Sequence, residues 1–325
     1  MSPRTIVTAL LILAALGLAA FALGPRVPAD TAVRFDPASI GADPAAYLAK
    51  TEAGVPGIRP GLAKEIVWAD PAAKAKTHVA LVYIHGFSAS KGELRPLPDK
   101  LAAALGANLF FTRLAGHGRN GAAMAEASVN DWIDDYAEAI AIGRMIGDKV
   151  VVVASSTGAA LATWGATDPA LARDVAAMVL ISPNYRIGAF GAFLLTWPWG
   201  AEIAEALVGK ERSFTPLNPL HERYWTSRYP TRATLPVAAL TVLARSAPVE
   251  GIRIPAIFVF SDADQVVRAD VTREVAARWG GPHELLAVGK NGDPSSHVIA
   301  GDALSPSTTD ALSDAILVFL RRFLD

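Results

Sequence analysis

Short, continuous apolar runs recur along the chain and are separated by segments in which apolar residues follow a helical spacing. Runs of this kind, bounded by Gly, Pro or Asp, are typical of strands that are buried on both faces of a parallel sheet. The apolar runs lie at residues 64–69, 78–84, 108–113, 150–154, 175–182, 254–260 and 284–288. The helical segments lie at residues 94–105, 129–146, 271–279 and 311–323. This alternation predicts an α/β fold with a mostly parallel central sheet and helices on both faces.

The alternation stops between residues 185 and 253. This stretch contains an apolar, aromatic run with a proline and, further on, a basic, aromatic run. It predicts a helical insertion within the α/β domain. The chain then divides into an apolar leader, a linker rich in Pro, Ala and Gly, the first part of the α/β core, the insertion and the second part of the core. These parts are residues 1–24, 25–63, 64–184, 185–253 and 254–325.

The leader is almost entirely apolar between residues 5 and 23, which predicts a helix long enough to cross a bilayer. Arg4 precedes this run, so the N-terminus is expected inside and the rest of the chain exported. Two interpretations remain open here: a signal peptide cleaved near residues 20–22, or an uncleaved anchor. The run exceeds the usual signal-peptide core of about 7–15 residues, which favours the anchor. We therefore expect a membrane-anchored or exported protein, on the periplasmic side if the source is bacterial.

Charge and composition narrow the classes of function. A formal net charge of −1 and an isoelectric point near 6.6 leave no basic surface for nucleic acid, so no nucleic-acid partner is expected. The chain has no cysteine, which excludes disulfides, thiolate metal sites and a cysteine nucleophile. Its six histidines show no H-E-x-x-H or similar spacing, so we expect neither a metal nor another cofactor. The pattern does not indicate an oligomeric state.

The run of valines at 150–153 ends in Ala154-Ser155-Ser156-Thr157-Gly158 and continues as helix-forming alanines. This sequence predicts a buried strand, a tight turn and a helix, with Ser156 on the crest of the turn. It resembles the nucleophile elbow G-x-S-x-G of the α/β-hydrolases, with alanine in place of the first glycine. A serine in such a turn also serves as an ordinary helix cap. A nucleophilic serine needs a base and an orienting carboxylate from elsewhere in the chain.

A second motif, His85-Gly86-Phe87, follows the apolar run at 78–84. The resemblance to α/β-hydrolases implies that this loop supplies part of an oxyanion hole through backbone N–H groups. The two donors would be the amides of Phe87 and Thr157, and Gly86 would allow the backbone to approach closely. The alternative is a β-turn with a packed histidine.

The loop Gly116-His117-Gly118, with Asn120 after it, follows the run at 108–113. It is similar to the G-H-G-x-S-x-G loop of hydrolases resembling monoglyceride lipases and carboxylesterases, with asparagine where serine is usual. His117 precedes the serine in the chain, so we interpret it as bracing this loop and not as the catalytic base.

The acid and the base are expected after later strands. Asp264 follows the run at 254–260 and occupies the place of the acid in the family pattern, with Asp262 as the alternative. His297 follows the last predicted strand and matches the base. The order Ser156, Asp264, His297 is the order that α/β-hydrolases use.

The resemblance implies a serine hydrolase that cleaves carboxylic esters, with a small acyl ester as its partner and an acyl-enzyme on Ser156. In this fold an insertion after the sixth strand forms a cap over the active site, and residues 185–253 match that place. An apolar cap would favour acylglycerols or other medium-chain esters. Two alternatives stay open: an aminopeptidase-like amide hydrolase of the same fold, and a membrane-tethered binding module without catalysis. A site for a substrate amine would need a carboxylate-rich pocket.

Overall fold

Seven strands form one sheet in the computed structural model, which describes residues 2–324. In chain order they are β1 (Glu65–Val67), β2 (Thr77–Ile84), β3 (Asn108–Phe111), β4 (Gly147–Ser155), β5 (Val175–Ile181), β8 (Ala256–Phe260) and β9 (His283–Ala287). The two strands between β5 and β8 in the chain, β6 (Glu211–Ser213) and β7 (Arg228–Pro230), form a separate small sheet. Their spatial order is β1-β3-β2-β4-β5-β8-β9. Strand β1 is antiparallel to β3, and the other neighbouring pairs are parallel. The predicted α/β fold with a mostly parallel sheet is confirmed.

Twelve helices are formed within the described residues. They are α1 (Pro3–Leu23), α2 (Pro44–Ala53), α3 (Leu97–Leu105), α4 (Gly121–Met124), α5 (Val129–Ile146), α6 (Ser156–Gly165), α7 (Pro169–Ala172), α8 (Gly200–Val208), α9 (Pro219–Tyr224), α10 (Thr234–Ser246), α11 (Ala269–Ala277) and α12 (Pro306–Leu324). Short 3-10 turns lie at Pro37–Ile40, Ala192–Thr196, Thr231–Ala233 and Val249–Gly251. Helix α5 has the predicted bounds. Its start is fixed by a reciprocal capping box of Ser128 and Asp131.

The two faces of the sheet are covered by different helices because strand side chains alternate between faces. On one face, Val82 and Ile84 of β2 belong to a buried cluster with residues of α5, α6, α10 and α11. On the other face, Leu81 and Tyr83 of the same strand belong to a cluster with α3 and α12. Strand β2 is therefore buried on both sides, as its continuous apolar run predicts.

The N-terminal part contains one exposed helix and one that packs on the core. Helix α1 has no buried residue and is long and apolar enough to cross a membrane. Helix α2 lies within the predicted linker and buries Leu48 against the core. An ion pair of 2.7 Å between Glu52 of α2 and Arg113, which follows β3, attaches this segment to the domain.

The insertion begins after β5, the fifth strand in chain order, whereas the resemblance to α/β-hydrolases implies an insertion after a sixth strand. Within residues 2–324 a single strand, β1, precedes β2, so five strands and not six lie before the insertion. Beyond helices α8 and α9, the insertion contains a small antiparallel sheet of β6 (Glu211–Ser213) and β7 (Arg228–Pro230) that the sequence did not predict. Helix α10 lies in the core cluster with α6.

Helix α6 approaches the sheet closely at Gly158. A Cβ atom at this position would lie 2.6 Å from the carbonyl oxygen of His85 and closer still to that of Ile84. Both oxygens belong to the backbone at the end of β2, so neither moves without disturbing the sheet. The elbow thus requires glycine at its last position, whereas Ala154 is accommodated at the first, where it is fully buried between β2 and β5.

Replacing Gly158 by alanine is therefore expected to lower the free energy of unfolding by about 1–3 kcal/mol through overpacking. The measurement is thermal unfolding of the full chain in a mild detergent. Gly289→Ala is the matched control, because nothing lies within 4 Å of a Cβ there. Equal melting temperatures for the two variants would contradict the proposed close approach.

Candidate active site

The predicted site residues meet at the carboxyl edge of the sheet. Ser156 follows β4, Asp264 follows β8, His297 follows β9 and Phe87 follows β2. Carboxyl ends of neighbouring parallel strands share one edge, which is where open α/β sheets place their ligand sites. Separate segments of the chain are thereby brought to a single point.

Ser156 lies at the crest of the turn between β4 and α6, with φ of 51°. This left-handed conformation costs an L-residue about 1–2 kcal/mol, and it turns the side chain away from the helix. The carbonyl oxygen of Ser156 accepts a hydrogen bond of 3.0 Å from the amide of Asn184. The hydroxyl is thus held on a rigid turn in a nearly closed site, since Ser156 is only 5% exposed.

The side chains of Ser156, His297 and Asp264 form a continuous hydrogen-bonded cluster. The Ser156 hydroxyl lies 2.9 Å from Nε2 of His297, and Nδ1 of His297 lies 2.8 Å from Oδ2 of Asp264. With Nδ1–H donating to Asp264, Nε2 is free to accept the serine proton. The structure therefore brings together the three side chains that the sequence selected.

Asp264 is fixed by the backbone that follows it. Its Oδ1 accepts hydrogen bonds of 2.8 and 2.9 Å from the amides of Val266 and Val267, and its side chain is 1% exposed. The alternative acid, Asp262, points elsewhere and pairs with Arg273 at 2.8 Å on the surface. Of the two aspartates, only Asp264 reaches His297.

A second aspartate builds the loop that carries the histidine. Oδ2 of Asp293 accepts hydrogen bonds from the amides of His297 (3.0 Å) and Val298 (2.8 Å), and its carboxylate also binds Ser295. The hydroxyl of Ser182 donates to the carbonyl oxygen of His297 at 2.7 Å. The backbone of His297 is thus held from both sides, which fixes the ring in front of Ser156.

The charges around His297 favour its protonated form. Burial lowers its pKa, but the hydrogen bond and charge of Asp264, together with the charges of Glu93 and Asp293, raise it above the usual value. The three carboxylates thus stabilise the imidazolium form of His297.

The expected oxyanion donors lie beside Ser156. Neither the amide of Phe87 nor that of Thr157 donates a hydrogen bond to another group within residues 2–324. Gly86 allows the close approach, because a Cβ there would lie 3.1 Å from Cβ of Ser156 and 2.7 Å from Oε1 of Glu93. The two amides are therefore available to a ligand that occupies this point.

The two other histidines near the site have structural contacts. His85 is fully buried, donates from Nδ1 to the carbonyl of Gly86 and accepts the amide of Leu114 at Nε2, 3.1 Å away. His117 bonds the carbonyl of Ala115 through Nδ1 and packs against Phe87, with ring centroids 5.7 Å apart. Burial lowers the pKa of His117 to about 4 and that of His85 well below its usual value, so both rings are neutral. This agrees with a bracing role for His117.

Two acidic residues of this site, Glu93 and Asp293, were not identified from the sequence. Each lies in a loop, where no periodic pattern marks a buried position. The small residues around them, Ser90 to Gly92 and Gly292 to Ser296, were the available signal.

No group of three or more His, Asp or Glu side chains within residues 2–324 is arranged to hold a metal ion.

Comparison with known proteins gives the following likenesses. The profile of the alpha/beta hydrolase family matches residues 81–303. A thermostable monoacylglycerol lipase from Bacillus sp. strain H-257 is 26% identical over 191 residues, which are 58% of this chain and 72% of the relative.

Two solved structures share the fold. One, reported with the metagenome-derived lipolytic enzymes LipS and LipT, has a TM-score of 0.65 at 20% identity and covers 82% of this chain and 99% of its own. The other, a monoacylglycerol lipase from Paleococcus ferrophilus, has a TM-score of 0.59 at 14% identity, over 80% and 98% of the two chains.

The contacts of Asp293 predict a pH-dependent contribution to stability. Burial disfavours its ionised form, but the hydrogen bonds from Val298, Ser295 and His297 outweigh burial and lower its pKa. Its contribution is therefore present above the pKa of an unfolded aspartate, about 3.9, and is lost as pH falls further. Asp293→Asn is expected to melt at a lower temperature than the wild type at pH 7, with the difference shrinking below about pH 4.

The control for this measurement is Asp310→Asn, which removes an aspartate whose side chain is 81% exposed. Its melting temperature should follow the wild type at every pH. A difference for Asp293→Asn that stays constant through the acidic range would show that the charge of Asp293 is not what stabilises the loop.

Proposed function

Because the chain belongs to the alpha/beta hydrolase family, we propose that it is a serine hydrolase that cleaves carboxylic esters through an acyl-enzyme on Ser156. The observation that carries this proposal is the pair of hydrogen bonds, 2.9 and 2.8 Å, that joins Ser156 to His297 and His297 to Asp264. A serine hydroxyl is a poor nucleophile at neutral pH, and this arrangement supplies the base that activates it.

In the first half of the reaction, Oγ of Ser156 attacks the ester carbonyl carbon and its proton moves to Nε2 of His297. The carbonyl oxygen becomes an oxyanion, which the amides of Phe87 and Thr157 stabilise. One such donor contributes about 3–4 kcal/mol to the transition state in comparable sites. The imidazolium then gives its proton to the leaving alcohol as the bond between the carbonyl carbon and the alcohol oxygen breaks.

In the second half, water attacks the acyl-enzyme and His297 accepts a proton from it. Collapse of the second tetrahedral intermediate releases the carboxylic acid and returns the proton to Oγ of Ser156. Asp264 keeps its own charge throughout, since its role is to hold the tautomer and to stabilise the imidazolium. In each cycle Nε2 of His297 thus accepts a proton twice and gives it up twice.

The site favours an apolar acyl group. The oxyanion loop, which contains His85, Gly86 and Phe87, contacts the insertion. The ring of Phe87 lies against the ring of Tyr229 in β7, with centroids 5.2 Å apart. The insertion is attached to this loop, because the amide of Thr226 donates to the carbonyl of Ser88 at 2.7 Å. Together with the resemblance to monoacylglycerol lipases, these contacts support acylglycerols or other medium-chain esters as substrates.

An ester is favoured over a peptide with a free amine. Two carboxylates of the insertion, Glu205 and Glu211, form ion pairs of 2.6 and 2.5 Å with Arg232 and Arg228 on the surface. They are therefore engaged outside the site and do not form the acidic pocket that an aminopeptidase-like hydrolase would need. A binding module without catalysis would have no use for the bond between Ser156 and His297.

Contacts at the end of α1 favour an uncleaved anchor. Nε1 of Trp199 donates to the carbonyl of Ala20, and the amide of Trp199 donates to the carbonyl of Pro25, both at 2.9 Å. The rings of Phe21 and Trp197 meet edge to face with centroids 5.6 Å apart. Cleavage near residues 20–22 would remove the contacts to Ala20 and Phe21. Tryptophans at the end of a spanning helix also suit the membrane interface.

Replacing Ser156 by alanine is expected to abolish hydrolysis of p-nitrophenyl esters, because the nucleophile is lost while the fold is kept. In the wild type, medium-chain esters should be cleaved faster than acetate. A fluorophosphonate probe should label the wild type but not the variant. Ser313→Ala, a buried serine in α12, is the control and should behave as the wild type. Activity that survives in Ser156→Ala would reassign the nucleophile, with Ser155 examined next.

The anchor predicts that the full chain is recovered from the membrane fraction and is released by detergent but not by alkaline carbonate. A variant lacking residues 1–24 should appear in the soluble fraction. The intact mass of the membrane-bound protein checks whether the leader is retained. A mature chain that begins near Leu23 would overturn the anchor.

A further inference from the structure

Glu93 is a buried carboxyl group that the reaction described above does not use. It lies in the loop between β2 and α3 and is 2% exposed. Burying a carboxylate costs several kcal/mol unless hydrogen bonds and charges compensate for lost water. The groups around this side chain therefore indicate why it is retained at this position.

The hydrogen bonds of Glu93 are directed at the oxyanion loop. Its Oε2 accepts the amide N–H of Gly86 at 2.8 Å and the hydroxyl of Tyr83 at 2.9 Å. Its Oε1 lies on the same side as the nucleophile: a Cβ on Gly86 would be 2.7 Å from Oε1 and 3.1 Å from Cβ of Ser156. The carboxyl group thus adjoins both the oxyanion loop and the elbow.

The backbone of Glu93 also adjoins the histidine loop. A Cβ on Gly301, which has φ of 93°, would lie 2.7 Å from the carbonyl oxygen of Glu93. The amide of Asp302 donates to the carbonyl of Arg95 at 2.9 Å. One short segment therefore touches the loops that carry the oxyanion donor and the base.

The glycine explains why an anchor is needed here. Gly86 has no Cβ, so its φ and ψ are less restricted than those of any other residue. The amide of Phe87 belongs to the next peptide, and its direction depends on those two angles. The bond from the N–H of Gly86 to Glu93 fixes the peptide before these two angles, and the bond from Nδ1 of His85 to the carbonyl of Gly86 fixes the peptide after them. Only with both peptides held does the amide of Phe87 stay aimed at one point.

We propose that Glu93 is a positioning residue for the ester hydrolysis proposed above. Its carboxylate holds the amide of Gly86 and, together with the bond from His85 to the carbonyl of Gly86, keeps the amide of Phe87 in the geometry of the oxyanion hole. Its negative charge lies beside Ser156, whose hydroxyl bonds His297, and stabilises the imidazolium together with Asp264. The base would then act between two carboxylates that come from different loops.

The charges that bear on this pair come from all the elements around it. His297 is faced by Asp264 from the loop after β8, by Asp293 from its own loop and by Glu93 from the loop after β2. Burial raises the pKa of Glu93 above its usual value, and the amide of Gly86, the hydroxyl of Tyr83 and the charge of His297 oppose this shift only in part. The negative charge of Glu93 in turn raises the pKa of His297.

The charge is tested with Glu93→Gln, which keeps the shape of the side chain and one acceptor oxygen. Removing the negative charge lowers the pKa of His297, so the acid limb of kcat/KM should move to lower pH by about half a unit or more. The substrate is the medium-chain p-nitrophenyl ester, and the enzyme is the full chain in detergent. Glu138→Gln, a buried carboxylate that pairs with Lys64, is the matched control and should leave the acid limb in place.

The hydrogen bond is tested with Glu93→Asp, which keeps the charge but is too short to reach the amide of Gly86. Its kcat should fall by about tenfold or more, because a misdirected donor stabilises the oxyanion poorly. Its acid limb should stay closer to that of the wild type than the limb of Glu93→Gln does. Charge and hydrogen bond are thus separated by two variants at one position.

If Glu93→Gln does not fold, Tyr83→Phe replaces it. This variant keeps the carboxyl group and the ring but removes one donor to Oε2, which raises the pKa of Glu93 further. Loss of this donor disfavours the ionised form of Glu93, so the acid limb should again move to lower pH, by a smaller amount.

An acid limb that stays in place in Glu93→Gln, or in Tyr83→Phe where that variant is used, overturns the proposal. An unchanged kcat in Glu93→Asp also overturns it. These outcomes require an active wild type. A wild type that neither cleaves the ester nor reacts with the fluorophosphonate probe would instead contradict the proposed hydrolase function, so the two failures are distinguishable.

Discussion

The turn between β4 and α6 is the constraint on which the rest of the site depends. Ser156 adopts a left-handed conformation there, and Gly158 lies against the carbonyl oxygens at the end of β2. Both features follow from forcing a helix to start at once after a buried strand. The valines of β4 supply the burial that offsets this strain, since the strand is enclosed by β2 and β5. A serine held in this way needs no further ordering when a substrate arrives.

Around this turn, the site is stabilised by carboxylates that have lost water. Asp264, Asp293 and Glu93 are each buried, and each accepts at least one backbone amide: those of Val266 and Val267, of His297 and Val298, and of Gly86. Such hydrogen bonds to a charged acceptor contribute about 1.5–3 kcal/mol each. They order the loops that meet at the carboxyl edge of the sheet, where the strands themselves have ended. Loop geometry and electrostatics therefore come from the same groups.

The sequence predicted the elements whose pattern is long and periodic. The buried strands and α5 were recovered, and the strand-then-loop rhythm selected Ser156, Asp264 and His297, which the structure brings together. Their catalytic roles stay predictions. Short or exposed elements were missed, because three-residue strands such as Glu211–Ser213 bury nothing and carry no alternation. Glu93 was missed because its burial depends on loops that are distant in sequence.

The positions of these groups along the chain have a consequence for biosynthesis. Ser156 and His297 are 141 residues apart, and the histidine follows the last strand of the sheet. A polypeptide that emerges from the ribosome contains the serine turn and the loop of Gly86 well before β9 is made. Until β9 pairs with β8, the hydroxyl of Ser156 lacks its hydrogen bond to His297. The cluster of Ser156, His297 and Asp264 is therefore completed only in the last stage of synthesis, after most of the sheet has been made.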